Sequence, residues 1–175
     1  MKKICLILLL PAILFLSCKK ESDDNYHVSF TVNGVAKTYT AHTLAHLQDL
    51  GGGDFELMIL GATSSTSFND YLGIYINNSP GGGTLQAGLY TDTSPNRVLL
   101  STYGNGALSY EAGHTVAENG VTYGVPIANH FKVNITELNT GGVARGTFSG
   151  DYYEDGDVHG AKVSITNGEF YVKFQ

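Results

Sequence analysis

The chain has 175 residues, with 16 acidic against 10 basic side chains and a formal net charge of −6 at neutral pH. Proteins that bind nucleic acid depend on Lys and Arg to neutralise phosphates. Because the net charge is negative, we expect no nucleic-acid partner. The length suits one domain with a sizeable core and is short for two. The two cysteines, Cys5 and Cys18, both lie near the amino end, so we expect no disulfide in the rest of the chain.

Residues 1–17 have the layout of an export signal. Lys2 and Lys3 precede an apolar run from Ile4 to Leu16, and a short basic start followed by such a run is typical of a signal peptide. The run is shorter than the roughly 20 residues that a membrane-spanning helix needs, and Pro11 interrupts it. We therefore expect residues 1–17 to be removed as a signal peptide.

The end of this segment, Phe15-Leu16-Ser17-Cys18, resembles the lipobox of bacterial lipoproteins, in which a small residue precedes the cysteine that receives lipid. The resemblance implies lipidation of Cys18 and a membrane partner held through that lipid, since two or more acyl chains anchor a protein stably. Residues 18–25 contain charged and polar side chains after the cysteine and predict a flexible tether. Acid-rich tethers in Bacteroidota look like a signal for surface display, so we expect an outer-membrane lipoprotein, with surface exposure favoured over a periplasm-facing anchor.

Residues 26–175 show period-two alternation, which predicts a single β domain. Tyr26, Val28, Phe30 and Val32 alternate with polar residues, and Asn33-Gly34 predicts a type I′ turn into a strand that starts at Val35. No stretch predicts a convincing amphipathic helix. Further strands are predicted at residues 55–59, 71–76, 85–90, 98–103, 131–135 and 147–153.

The carboxyl-terminal segment predicts a closing hairpin. Val163 and Ile165 alternate with polar residues, Asn167-Gly168 suits a turn, and the alternation resumes from Phe170. Many short strands with regular turn signals indicate an all-β fold, for which we prefer an antiparallel β-sandwich of about ten short strands. The alternative is a lipocalin-like β-barrel.

Three segments are similar to the uncharacterised small β-rich lipoproteins of Bacteroidota. They are Phe30-Thr31-Val32-Asn33-Gly34, Gly146-Thr147-Phe148-Ser149-Gly150, and the run from Val163 to Phe170. The resemblance implies a membrane address and a β fold, and it implies no activity.

Two clusters suggest metal binding. Asp151, Glu154, Asp155 and Asp157 surround Gly156, and such carboxylates could supply part of a calcium shell; the alternative is a solvated hairpin tip with Asp155-Gly156 as its turn. His42 and His46 could share a zinc ion on a helix, where side chains four apart are neighbours. On a strand the same pair lies about 13 Å apart, too far for one metal.

Tyrosines are the remaining candidates. The chain has 11 Tyr and no Trp, and Tyr71, Tyr75, Tyr152 and Tyr153 could form an aromatic platform for a glycan. The alternative is that they fill the edge of a sandwich with their hydroxyls in water.

No catalytic motif, such as the Gly-x-Ser-x-Gly elbow, is present, and we expect no cofactor. The leading hypothesis is a non-enzymatic surface module that binds an extracellular glycan, a protein or a small ligand. The alternatives are a hydrolase or metal-dependent enzyme with a site built on loops, and a structural protein of the envelope. A deep pocket with converging His and carboxylate groups would favour the enzyme, and a shallow aromatic surface would favour the binding module.

Overall fold

The computed structural model describes residues 25–78, 84–94 and 97–175. The predicted signal peptide, Cys18 and most of the predicted tether lie outside the described residues. The elements are β1 (His27–Val32), β2 (Val35–Tyr39), β3 (His42–Gly51), β4 (Asp54–Ala62), β5 (Asp70–Asn77), β6 (Gly88–Thr91), β7 (Val98–Asn105), β8 (Leu108–Gly113), α1 (His114–Tyr123), β9 (Lys132–Leu138), β10 (Val143–Glu154) and β11 (Lys162–Lys173). Within this part of the chain, no helix has both the length and the apolar character that a membrane crossing requires.

The all-β prediction is confirmed. The strands form one sheet in the order β2-β1-β11-β10-β8-β7-β5-β4-β3, and β9 joins the edge of β10 and carries β6. The first predicted hairpin is also confirmed, because Val32 pairs with Val35 and both Asn33 and Gly34 have positive φ.

The sheet curls until its far edge meets β11. One edge of β11 follows β10 along its length, and the other pairs with β1 as far as Tyr171. Beyond that point Phe174 forms a parallel bridge to Ala45 of β3, and the backbone N–H of Gln175 donates to the Ala45 carbonyl at 3.0 Å. The result is nearly a barrel, a shape consistent with both alternatives predicted from the sequence.

The parallel bridge follows from the number of strands in this ring. Antiparallel neighbours alternate in direction, and the ring contains seven strands, β11, β10, β8, β7, β5, β4 and β3. An odd number of alternating strands must leave one parallel pair, and that pair is β3 with the end of β11. The β1–β2 hairpin and the β9–β6 pair branch from the ring.

The predicted closing hairpin at Asn167-Gly168 is wrong, because β11 continues through both residues. Asn167 has a φ of 51°, and the pairing with β1 slips between Ser29 and Thr31 opposite this point. Asn-Gly thus supplies a β-bulge, for which a left-handed residue is as suitable as it is for a turn. The strand before β11 is β10, and the connection between them includes Asp155 and Gly156, both with positive φ.

The core lies between the inward faces of the strands. An aromatic cluster forms part of it: the Phe30 ring lies 5.3 Å from Tyr39, 5.7 Å from Tyr103 and 6.0 Å from Phe148. Burying each such side chain stabilises the fold by about 1.5–3 kcal/mol. The Tyr39 hydroxyl donates to Asp70 Oδ1 at 2.5 Å, so the buried ring keeps a polar partner.

Helix α1 corrects the expectation of no amphipathic helix. Its sequence contains Gly120 and several β-branched residues, which are poor helix formers. It forms because Val116, Ala117 and Gly120 are buried, with Val116 in a small cluster beside Tyr153 and Val158. Gly124, with a φ of 68°, ends the helix, so tertiary packing and a glycine cap outweigh the local preference.

Candidate ligand-binding face

Two of the predicted tyrosines share an outer surface. Leu72, Ile74 and Ile76 of β5 point into the core, and because side chains alternate along a strand, Tyr71, Gly73 and Tyr75 face outward. We call the surrounding surface the aromatic face. It consists of Leu44, Met58, Leu60, Phe68, Tyr71, Tyr75 and Leu100.

Strand register places apolar side chains next to the two tyrosines. Tyr75 pairs with Met58 on one side and with Leu100 on the other, and Leu60 lies between Leu44 and Gly73. Phe68 is 51% exposed, and its ring lies 6.2 Å from that of Tyr71. The solvent side of an antiparallel sheet is ordinarily polar, so an apolar outer face of this kind marks an interaction surface.

Two glycines determine how the tyrosine rings lie. A Cβ atom on Gly104 would lie 2.2 Å from Cε1 of Tyr71, and one on Gly73 would lie 3.1 Å from Cε2 of Tyr75. Each ring therefore lies down against the sheet in space that the glycine leaves open. We infer that the opposite face of each ring turns outward, since both side chains are only half-buried.

A cleft of about 360 Å³ adjoins Tyr75, between the sheet and α1. Its polar groups include the carboxylates of Glu56 and Glu111 and the hydroxyls of Thr102 and Thr115. Burial raises the pKa of the Tyr75 hydroxyl, and neighbouring Tyr71 and Glu56 raise it further. In the part of the chain that the structure describes, neither carboxylate forms a hydrogen bond or ion pair through its side chain.

Tyr152 and Tyr153 do not belong to this face, which corrects the predicted four-residue platform. Tyr152 is fully buried in the core, where its hydroxyl lies 2.8 Å from Ser101 Oγ and its ring meets Phe131 edge-on at 5.5 Å. Tyr153 is buried with Val116 of α1. Successive residues normally face opposite sides of a strand, and here α1 covers the second side.

The four acidic residues do not come together, which corrects the predicted calcium site. Asp151 is buried and accepts hydrogen bonds from Ser164 Oγ at 2.6 Å, Lys162 Nζ at 2.8 Å and Asn129 Nδ2 at 3.2 Å. Burial alone would raise the pKa of Asp151, but these hydrogen bonds outweigh it and the pKa lies below its ordinary value. Across residues 25–78, 84–94 and 97–175, no three His, Cys, Asp or Glu side chains are placed to hold a metal.

The remaining acids of that segment match the alternative of a hairpin tip. Asp155 and Gly156 both have positive φ, and Asp157 Oδ1 accepts a hydrogen bond from the backbone N–H of His159 at 2.9 Å. Glu154 is the last residue of β10.

The histidine pair lies on a strand, which removes the helical geometry that zinc would need. His42 and His46 both belong to β3, so they are about 13 Å apart at about 3.3 Å per residue. His42 packs against Phe68, with ring centroids 6.0 Å apart, and His46 Nδ1 lies 3.2 Å from the Gln175 carbonyl.

Sequence reasoning missed one polar pair, Asp92 and His130. Asp92 is 3% exposed; its Oδ1 lies 2.9 Å from His130 Nδ1, and its Oδ2 accepts the Phe131 N–H at 2.8 Å. Burial raises the pKa of Asp92, and the bonds from Phe131 and His130 only partly offset this. The two residues are 38 positions apart, so no local motif could have revealed them.

Asp92 and His130 line an open cleft of about 480 Å³ together with His114 and Glu118 of α1. A buried carboxylate bound to Nδ1 holds an imidazole ring in the orientation of a general base. Within the described residues, however, no serine or threonine hydroxyl forms a hydrogen bond with His130. The described residues therefore give the pair no hydroxyl nucleophile of the kind that a Ser-His-Asp triad uses.

A larger groove of about 720 Å³ lies on the outer side of β9, β10 and β11. Most of the side chains that line it are polar. Lys132 and Glu169 carry opposite charges, and Asn134, Thr147 and Asn167 line the groove as well. It is a second concave surface, and it lacks the exposed rings of the aromatic face.

Comparison of this chain with protein-family models, with curated proteins and with solved structures finds no match. Function is therefore inferred from the residues and their geometry.

Proposed function

We propose that this chain is an exported lipoprotein of the outer membrane, held through lipid on Cys18, whose β domain binds a ligand on the aromatic face without catalysing a reaction. The signal-like segment 1–17, the Ser17-Cys18 junction and the charged tether 18–25 support the address. The domain that follows, residues 26–175, carries the binding surface.

The half-buried rings of Tyr71 and Tyr75 on an outer sheet face carry this proposal. Apolar surface removed from water contributes about 25 cal/mol per Å², so a ligand that covers these rings and their neighbours gains free energy directly. Both rings lie on the outer side of a sheet, and a surface of this kind suits a binding module better than an enzyme.

The anchor is tested by fractionating bacteria that express the chain or its Cys18→Ser variant. We expect the unsubstituted chain in the membrane fraction, with acyl groups on Cys18 found by mass spectrometry. The variant should carry no acyl groups, because its serine cannot form the thioether. An unmodified thiol at position 18 of the unsubstituted chain would contradict the anchor.

Protease treatment of intact cells separates the two orientations. A chain displayed on the cell surface is cleaved, whereas one that faces the periplasm is protected until the cells are opened.

The rival function, hydrolysis, is favoured by one observation, the pairing of buried Asp92 with His130. It would require that the purified chain cleave an ester, peptide or glycoside, and that His130→Gln abolish the cleavage. That result, obtained while substitution of Tyr71 and Tyr75 leaves the activity unchanged, would replace the binding proposal.

A further inference from the structure

We infer that the ligand of the aromatic face is a neutral glycan, whose sugar rings lie on Tyr71 and Tyr75 and whose hydroxyls donate to Glu56 and Glu111. This inference rests on the proposed function, because it names the ligand class of the same face.

The rings supply the apolar part of the recognition. A sugar ring has an apolar C–H face and a polar rim, and an aromatic side chain that lies flat can cover the first while leaving the second free. Tyr71 and Tyr75 lie against the sheet over Gly104 and Gly73. Their Cα atoms are four positions apart on β5, about 13 Å along the strand, and the Tyr75 ring lies over Gly73 between them, so a ligand that covers both rings must extend along the strand.

The floor between the rings suits such a ligand. Gly73 lies between the two tyrosines on the same outer face and projects no side chain. The Tyr75 ring occupies the space over Gly73, so it leans along β5 toward Tyr71 and no side chain at position 73 separates the two rings.

The cleft beside Tyr75 supplies the polar part. Glu56 and Glu111 offer carboxylate oxygens, and Thr102 and Thr115 offer hydroxyls that donate or accept. Hydrogen bonds from a sugar hydroxyl to a carboxylate are charge-assisted and stronger than neutral ones. No described side chain donates a hydrogen bond to Glu56 or Glu111, so both carboxylates can accept from a ligand.

Charge selects among glycans. The residues that line the cleft include two carboxylates and no Lys or Arg, and the chain as a whole has a net charge of −6. Polymers that carry carboxylate, sulfate or phosphate groups are repelled by such a surface. A neutral glycan meets no repulsion and provides the donors that Glu56 and Glu111 need.

The test is isothermal titration of the purified full chain with soluble neutral polysaccharides, namely a β-glucan, a xylan and a galactomannan. Polygalacturonate and a lysine-rich peptide serve as the anionic and cationic comparisons. We expect binding to at least one neutral polymer, with Tyr71→Ala and Tyr75→Ala each weakening it about tenfold or more, as truncation of an anchoring aromatic residue does. Glu56→Gln and Glu111→Gln should weaken it less.

Matched controls keep the result interpretable. Tyr123→Ala removes a 63% exposed tyrosine on α1, and Lys132→Ala alters the polar groove on β9; neither should change the affinity. Tyr71→Phe retains the ring and should retain most of the binding, so a loss seen only in Tyr71→Ala is a loss of the ring contact. Thermal unfolding of each variant shows whether the fold is intact.

Contrary outcomes separate this inference from the proposed function. Binding of polygalacturonate or of the lysine-rich peptide instead of the neutral polymers, with the same dependence on Tyr71 and Tyr75, overturns the ligand class and keeps the aromatic face as the binding surface. Neutral-glycan binding that is lost in Lys132→Ala and unchanged in the tyrosine variants overturns both. Failure of every neutral polymer to bind the unsubstituted chain overturns the inference.

Discussion

Tyr152 keeps a hydroxyl in the core through a short chain of hydrogen bonds. Ser101 Oγ donates to the Gly73 carbonyl at 2.7 Å, so its oxygen must accept the proton of the Tyr152 hydroxyl, 2.8 Å away. Burial raises the pKa of Tyr152, so its hydroxyl stays protonated and acts as the donor. The pair therefore connects the core to the backbone beneath the aromatic face.

The two partners should respond unequally to substitution. Ser101→Ala leaves the Tyr152 donor buried without an acceptor, which should lower the free energy of unfolding by about 1–3 kcal/mol. Tyr152→Phe removes the donor and leaves the Ser101–Gly73 bond intact, so its effect should be about 1 kcal/mol. Urea unfolding at pH 7 measures both. A larger effect of Tyr152→Phe would show that the donor order is reversed.

The sequence predicted the positions of residues better than their environments. The alternation of β5 placed Tyr71 and Tyr75 on one outer face, as the structure has them. It could not show that Tyr152 is buried, because that depends on how β10 packs against Ser101 of β7 and against Phe131. The alternation also could not show that Asp151 of β10 accepts hydrogen bonds from Lys162 and Ser164, because those residues lie on the neighbouring strand β11.

Gly146 lets three strands, β9, β10 and β11, lie close together. A Cβ atom at this position would lie 2.3 Å from the Asn134 carbonyl oxygen on β9 and 2.5 Å from Cζ of Phe170 on β11. The first contact is with backbone, which cannot rotate away. A side chain at position 146 would therefore separate β10 from β9.

Gly146→Ala should lower the free energy of unfolding by about 1–3 kcal/mol or more, as overpacking of a tight site does. Gly141→Ala is the matched control: its nearest neighbour would be 3.8 Å from the new Cβ, so its effect should be small. Chemical denaturation compares the two variants. Equal stability would mean that the sheet adjusts at position 146 without strain.

The two wrong predictions, a turn at Asn167-Gly168 and no helix at α1, share a physical cause. Asn-Gly favours a left-handed residue, and Asn33-Gly34 uses it for a turn while Asn167-Gly168 uses it for a bulge inside β11. The local requirement is the same, so only the partner strands distinguish the two. Helix α1 was missed for a related reason, since its stability comes from the buried contacts of Val116 and Ala117 and not from its own sequence.

The all-β class followed from the alternation of apolar and polar residues, whereas the order of the strands in the sheet did not. Alternation records which side of a strand is buried, and it carries no information about which strands are neighbours. The pairing of β11 with β1 and β3 joins segments more than a hundred positions apart, so it emerges only when distant parts of the chain come together.

The stability of the contact that closes the ring, between β3 and the end of β11, should depend on Phe174 and Gln175. Deletion of Phe174 and Gln175 removes the parallel bridge to Ala45 and the 3.0 Å bond from the Gln175 N–H. With a partly buried phenylalanine lost as well, the free energy of unfolding should fall by about 2 kcal/mol or more. Gln175→Ala keeps the backbone donor and should stay close to the unsubstituted chain. If the deletion has no effect on thermal unfolding, the contact between β3 and the end of β11 contributes no stability.

Because β11 closes the ring, the ring cannot form until β11 is present. The segments from β3 to β8 are made early, yet they find their outer neighbours only after β10 and β11 have been synthesised. Topologies dominated by such distant pairings fold slowly and expose apolar edges in the meantime. We therefore expect resistance to proteolysis to appear abruptly, when β11 joins the sheet.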